Sequence, residues 1–336
     1  MLCFTSFAAV MALGGGPKST TIELAIYQAI KFDFDLQAGA LLGIWQMLLC
    51  GILAISIQKL SKPVSVASGQ LSQDKFIVKD NLYSKAWDSF WIIGVLLLVL
   101  PPLLMVIVSG INNQAFQVLT SEAFWTALST SFKVAVLASV IALGAGIAIL
   151  LTSRTLRLKS QHFKADKIEL IGTIILVTPG LVISTGLFLL LRAITDVFSL
   201  AFFVVVAVNS LMALPYVIKT LAQPLLHLAQ QYQYLCPSLG MTGWNRFKLV
   251  EWRALRKPMA QAFSISFMLS IGDLSAIALF GSQDFRTLPL YLFQLLGSYQ
   301  MEAAAVVSVT LLLLSVGAFS ITEKIFASSQ RRKTTC

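Results

Sequence analysis

The sequence predicts an all-α, polytopic membrane protein, and three observations carry that prediction. Of 336 residues, 57% are hydrophobic and only 12% charged, where an ordinary soluble domain carries about 25% charge. Mean hydropathy is +0.81. Apolar runs such as WIIGVLLLVLPPLLMVIVSG at 91–110 reach the roughly 20 residues a helix needs to cross a bilayer while satisfying its own backbone. The net charge of +10 fits an excess of Lys and Arg on the loops of one membrane face better than it fits nucleic-acid binding.

The chain opens on a short apolar segment, 1–14. Its first charge, Lys18, comes after that segment, so it lacks the basic start of a signal peptide. LGGGPKST at 13–20 invites comparison with a phosphate-cradling loop, but Ala12 stands where that loop's first glycine belongs, and Pro17, before Lys18, has no N–H to donate. The stretch reads as a turn where a helix leaves the membrane. Seven further apolar segments follow at about 38–58, 87–110, 124–151, 168–192, 199–220, 259–281 and 301–322. Residues 59–86 have the composition of a linker.

The cations set the direction. If the linker faces the cytoplasm and each segment crosses once, twenty of the twenty-five Lys and Arg fall on the cytoplasmic side, the C-terminus included. Lys18, Lys31, Arg192 and Arg286 fall outside, and Lys133 sits within a span. Cys3, Cys50, Cys236 and Cys336 are scattered, and His162 and His227 are far apart, so no metal site or disulfide framework is expected. No catalytic cluster stands at either membrane face.

The beginning resembles the end. MLCFTSFAAVMALGG (1–15) lies along MLSIGDLSAIALFGS (268–282), and TIELAIYQAI (21–30) along TLPLYLFQLL (287–296), each followed by an apolar span. This reads as a repeat. It divides the chain into the last two spans of a first half (1–58), the linker (59–86), a complete second half (87–327) and a tail (328–336). By the same logic, roughly 180 further residues are expected upstream.

Between the sixth and seventh of the eight apolar segments lies QYQYLCPSLGMTGWNRFKLVEWRALRKPMAQAF (231–263), which mixes aromatics and cations around Gly240. Such a segment suits an amphipathic helix docking on a partner, or one lying on lipid headgroups. It resembles the EAA loop of binding-protein-dependent ABC importer permeases, E-A-A-x-x-x-G with I-x-L-P nine residues on. Gly240 takes the glycine place and Val250 the isoleucine place. Tyr234 stands for the Glu, Leu235 and Cys236 for the alanines, and Trp252–Arg253 for Leu-Pro. VNSLMALPYVIKTL (208–221) and ILVTPGLVISTGL (175–187) resemble the family's neighbouring spans. The two-copy plan is similar to that of fused permeases. LGGGP, TTIELAIYQA, SIGD and DFRTLP in particular are similar to permeases of thiamine/thiamine-pyrophosphate importers, with iron(III) permeases the near alternative.

The resemblance implies a type I ABC importer permease fold in the bacterial inner membrane, without cofactor or covalent chemistry of its own. It implies a periplasmic binding protein, two copies of a cytoplasmic ATPase docked at loops such as 231–257, and the other permease half. A secondary transporter, the reading from a different class, would carry coupling carboxylates in several spans. Here Asp273 is almost alone. It is either a translocation-path residue attracting a cation, or a buried acceptor for a neighbouring hydroxyl, backbone group or Lys133. Pro101–Pro102, Pro179 and Pro215 are expected to kink their helices, with Pro179–Gly180 the best candidate to line a path.

Overall fold

The computed structural model describes residues 7, 10, 11, 21–60, 82–192, 194, 199–241, 243–283 and 285–331. Among these, all regular structure is helical: α1 (Ile22–Lys31), α2 (Leu36–Leu60), α3 (Leu82–Gly110), α4 (Ala115–Thr120), α5 (Glu122–Leu158), α6 (His162–Thr173), α7 (Gly180–Arg192), α8 (Ala201–Gln231), α9 (Leu235–Ser238), α10 (Gly243–Arg246), α11 (Trp252–Ile271), α12 (Ser275–Phe280), α13 (Leu288–Gly297) and α14 (Met301–Arg331). A 3-10 turn occupies Ile174–Val177 and a π turn Phe247–Glu251.

Six stretches are long and apolar enough to cross a bilayer: Leu36–Leu53, Tyr83–Gly110, Glu122–Leu158, Ala201–Gln231, Phe247–Phe280 and Met301–Thr322. The bent pair α6–α7 makes a seventh if it counts as one span. These coincide with seven of the eight apolar segments expected from sequence. Segment 1–14 for the most part, the turn at 13–20, residues 61–81 of the linker and the end of the tail lie outside the described residues.

Helices α5, α8 and α11 pack on one another at the centre. Lipid tails are as apolar as leucine, so helices in a membrane associate through close backbone approach at small residues. On α5 the buried positions are mainly small: Ala127, Ser131, Ala135, Ala138, Ala142 and Gly146, three or four residues apart along one stripe. Helix α14 packs on α11, and α3 on α14. Asn112 fastens the start of that pair by donating to the carbonyl of Glu302 at 2.8 Å. The most apolar window of α3 buries nothing against the described chain, which leaves it for lipid or another polypeptide.

The two ends of the repeat correspond in shape. Thr21 and Thr287 are both extended (ψ 162° and 166°), and each precedes a ten-residue helix. An aromatic residue with positive φ follows each helix, Phe34 at 54° and Tyr299 at 59°, and then a long helix begins. Ser131 of α5 accepts the N–H of Leu288 at 2.7 Å and so seats the second copy.

Three elements differ from the sequence expectation. Helix α8 continues to Gln231 rather than ending near 220, because Leu221, Leu225 and Leu228 extend its buried stripe onto Leu255 and Met259. The segment 168–192 is broken by 89° rather than merely kinked. Pro179 has no N–H and holds Thr178 extended (φ −94°, ψ 118°), so the helix stops. The segment 259–281 is likewise two helices, α11 and α12, separated at Gly272–Leu274. By contrast, Pro101–Pro102 and Pro215 lie inside helices that run on through them.

Candidate functional site

The loop after α8 leaves the bundle as a compact, largely exposed structure. Helix α9 closes with a Schellman turn: the N–H of Met241 bonds the carbonyl of Cys236 at 2.9 Å, and that of Gly240 the carbonyl of Pro237 at 3.0 Å. This places Gly240 at φ +66°, a conformation that costs an L-residue about 1–2 kcal/mol. A Cβ at Gly240 would meet nothing within 4 Å. The glycine is therefore required by backbone shape and not by crowding.

Cys236 is the buried anchor of α9, 2% exposed. Around it Tyr234, Leu235 and Leu239 are 82%, 52% and 60% exposed, and Leu249 and Trp252 are also exposed. Lys248, Arg253, Arg256 and Lys257, further along the same segment, are exposed too, and Val250 is half-buried. Exposed apolar side chains thus stand on the hydrogen-bonded turn, followed in sequence by exposed cations. Of the five loop residues singled out from sequence, Tyr234 and Leu235 face outward, Cys236 faces in, Gly240 shapes the turn, and Val250 lies between.

The same segment also contributes to a charged cluster that the sequence reading missed. Glu251, on the π turn, is 2% exposed and pairs with Arg154 near the end of α5. Arg246 Nε also approaches the same Glu251 oxygen, at 2.9 Å, without hydrogen-bond alignment. Glu251 Oε2 and Arg154 Nε lack partners. On the same turns of α5, Arg157 pairs with Asp166 at 2.7 Å and Glu169 at 3.1 Å, and Ser153 donates to Glu169. Glu251 carried one sequence signal: it is the lone acid among Arg246, Lys248, Arg253, Arg256 and Lys257.

The second site lies at the breaks. Asp273 accepts from the hydroxyl of Ser275 at 2.8 Å and from the backbone N–H groups of Ser275 and Ala276 at 3.3 and 3.4 Å, which caps α12. Lys133 is exposed on α5. A Cβ on Gly180 would stand 2.7 Å from Ser275 Oγ, so the absence of a side chain there lets α7 seat against the cap. Pro179–Gly180 and Asp273, far apart in sequence, meet at this point. Two more buried polar groups join the region. Glu23 of α1 is 3% exposed, hydrogen-bonded to Gln46 of α2, and close enough to Asp273 for their charges to interact. Asn209 of α8 donates to Ser270 Oγ and O at 2.9 and 3.2 Å and ties α8 to α11. Helical periodicity does not announce such pairings.

Residues 163–328 match the family described as binding-protein-dependent transport system inner membrane component. The chain is 44% identical over 325 residues to the thiamine transport system permease protein ThiP of Escherichia coli (strain K12), covering 97% of this chain and 60% of that protein. ThiP of Haemophilus influenzae is 39% identical over 318 residues, 94% of this chain and 58% of the relative. An iron transporter from the same organism, the Fe(3+)-transport system permease protein FbpB 2, is 22% identical over 300 residues, 88% of this chain and 58% of the relative. The chain thus spans about 60% of the length of the thiamine permeases it matches.

Proposed function

We propose, from the premise that this chain belongs to the binding-protein-dependent transport system inner membrane component family, that it forms part of the translocation path of an ATP-driven importer of thiamine or its pyrophosphate. The relatives named for thiamine are 33–44% identical where the iron permease is 22%, which favours an organic cation over ferric iron as cargo. ATP hydrolysis belongs to a partner chain, and a periplasmic binding protein delivers the substrate. Residues 87–327 make a six-span half, and residues 1–58 supply the end of the other half, which pairs with further permease sequence. The charge distribution supports a cytoplasmic C-terminus.

The observation that carries this reading is the exposure of Tyr234, Leu235 and Leu239 on the Schellman turn, in a segment that goes on to expose Lys248, Arg253 and Arg256. An apolar group held outside the core is the anatomy of a protein contact. Two such loops, one per half, are expected to receive two ATPase copies, and closure of the ATPases rocks the halves.

The test is crosslinking from Ser238→Cys, on the exposed side of α9, in membranes from cells that also make the ATPase and the rest of the permease. A crosslink to the ATPase supports docking. A crosslink only to lipid-reactive probes places the loop on the headgroups and overturns the reading.

A further inference from the structure

We propose that Glu251 is the positioning residue that locks the coupling loop onto α5, through Arg154 and Arg246, so that displacement of the loop by the ATPase is passed into the bundle. The inference rests on the docking reading of that loop.

The physical case begins with burial. A carboxylate removed from water costs several kcal/mol unless charge and hydrogen bonds replace its hydration. Glu251 is 2% exposed and finds its compensation in guanidinium groups from two different elements. Arg154 belongs to the long central helix; Arg246 belongs to the loop itself. The carboxylate therefore bridges the moving part and the frame, across 97 residues of sequence in the case of Arg154. Removing one member would leave the others charged and buried, so the three stay together.

The same end of α5 makes a second set of contacts. Ser153 and Arg157 hold Glu169 and Asp166 of α6. Helix α6 runs into the Thr178–Pro179 break, and Gly180 beyond it abuts the Ser275–Asp273 cap. Loop, α5, α6 and the polar break thus form one continuous chain of contacts. Contiguity alone does not establish coupling, and coupling is what the experiment measures.

The latch is also incompletely satisfied. Glu251 Oε2 and Arg154 Nε have no partner, and the Arg246 contact is not aligned. Two guanidinium groups compete for one oxygen of one carboxylate, which lets the pairing be exchanged when the loop moves.

The experiment uses the assembled transporter, with its ATPase and binding protein, in the Ser238→Cys background. Glu251→Gln, Arg154→Gln and the double variant are compared for crosslinking to the ATPase and for substrate transported per ATP hydrolysed. Each single variant is expected to keep its crosslink yet lose about fivefold or more in transport per ATP. The double variant is expected to be no worse than the poorer single one, as for residues acting as a unit. Should the glutamine variants fail to accumulate, Arg154→Met/Glu251→Leu provides the second arm, because apolar replacement of a buried ion pair is tolerated; it should accumulate and remain uncoupled. Unchanged transport per ATP in any accumulating variant, or additive losses in the double variant, would overturn the latch. Absence of the crosslink in the Ser238→Cys parent overturns the docking reading, and the latch with it.

Discussion

Asp273 has both oxygens engaged with the first turn of α12, and those bonds do not require a charge. Asparagine keeps one acceptor for Ser275 and removes the negative charge, whereas alanine removes the cap, worth about 1 kcal/mol. If the charge serves the passage of a cationic substrate, Asp273→Asn should accumulate normally and raise the KM of uptake, while Asp273→Ala should also lower accumulation. Transport kinetics and membrane yield separate the two effects. An unchanged KM in Asp273→Asn would leave the residue as a helix cap alone. A second carboxyl, Glu23 paired with Gln46, reaches the same region from α1. That neighbour was invisible in the sequence because its register is set by tertiary packing.

The loop around Gly240 shows what an element-level motif conveys. Gly240 was legible from its place in the motif, and the structure supplies the cause in its positive φ. Gly240→Val introduces no clash and so acts through the backbone, displacing α9 at a cost of about 1–2 kcal/mol. The expected result is normal insertion and accumulation with several-fold weaker uptake; wild-type uptake and ATPase stimulation together would refute the role given to the turn. Tyr234 was legible only as a departure from the motif's glutamate, and the structure exposes its side chain. Glu251 fell at a position where the motif specifies nothing. The broken spans were half-legible. Pro179 announces a stop, but its 89° size depends on what α7 then packs against. Gly272–Asp273 is diluted in any hydropathy average by the apolar residues around it.

At the scale of the molecule, membrane helices are the most legible structure in a sequence, because the bilayer forces some twenty apolar residues into each. Seven of the eight expected segments are helical spans or bent pairs for this reason, and residues 163–328 match the binding-protein-dependent transport system inner membrane component family. Contacts between spans are another matter. Asn209–Ser270 and Arg154–Glu251 join residues 61 and 97 apart, and small-residue packing allows many registers until such polar pairs select one. The central claim is that these pairs and the loop beneath them serve ATP-driven passage of thiamine. The most direct test is uptake of radiolabelled thiamine into cells without their own thiamine uptake, supplied with this chain, the rest of the permease, the binding protein and the ATPase. The account predicts uptake that vanishes when the ATPase is omitted and that excess ferric iron does not compete away. Thiamine uptake persisting without the ATPase, or accumulation of ferric iron in place of thiamine, would contradict it.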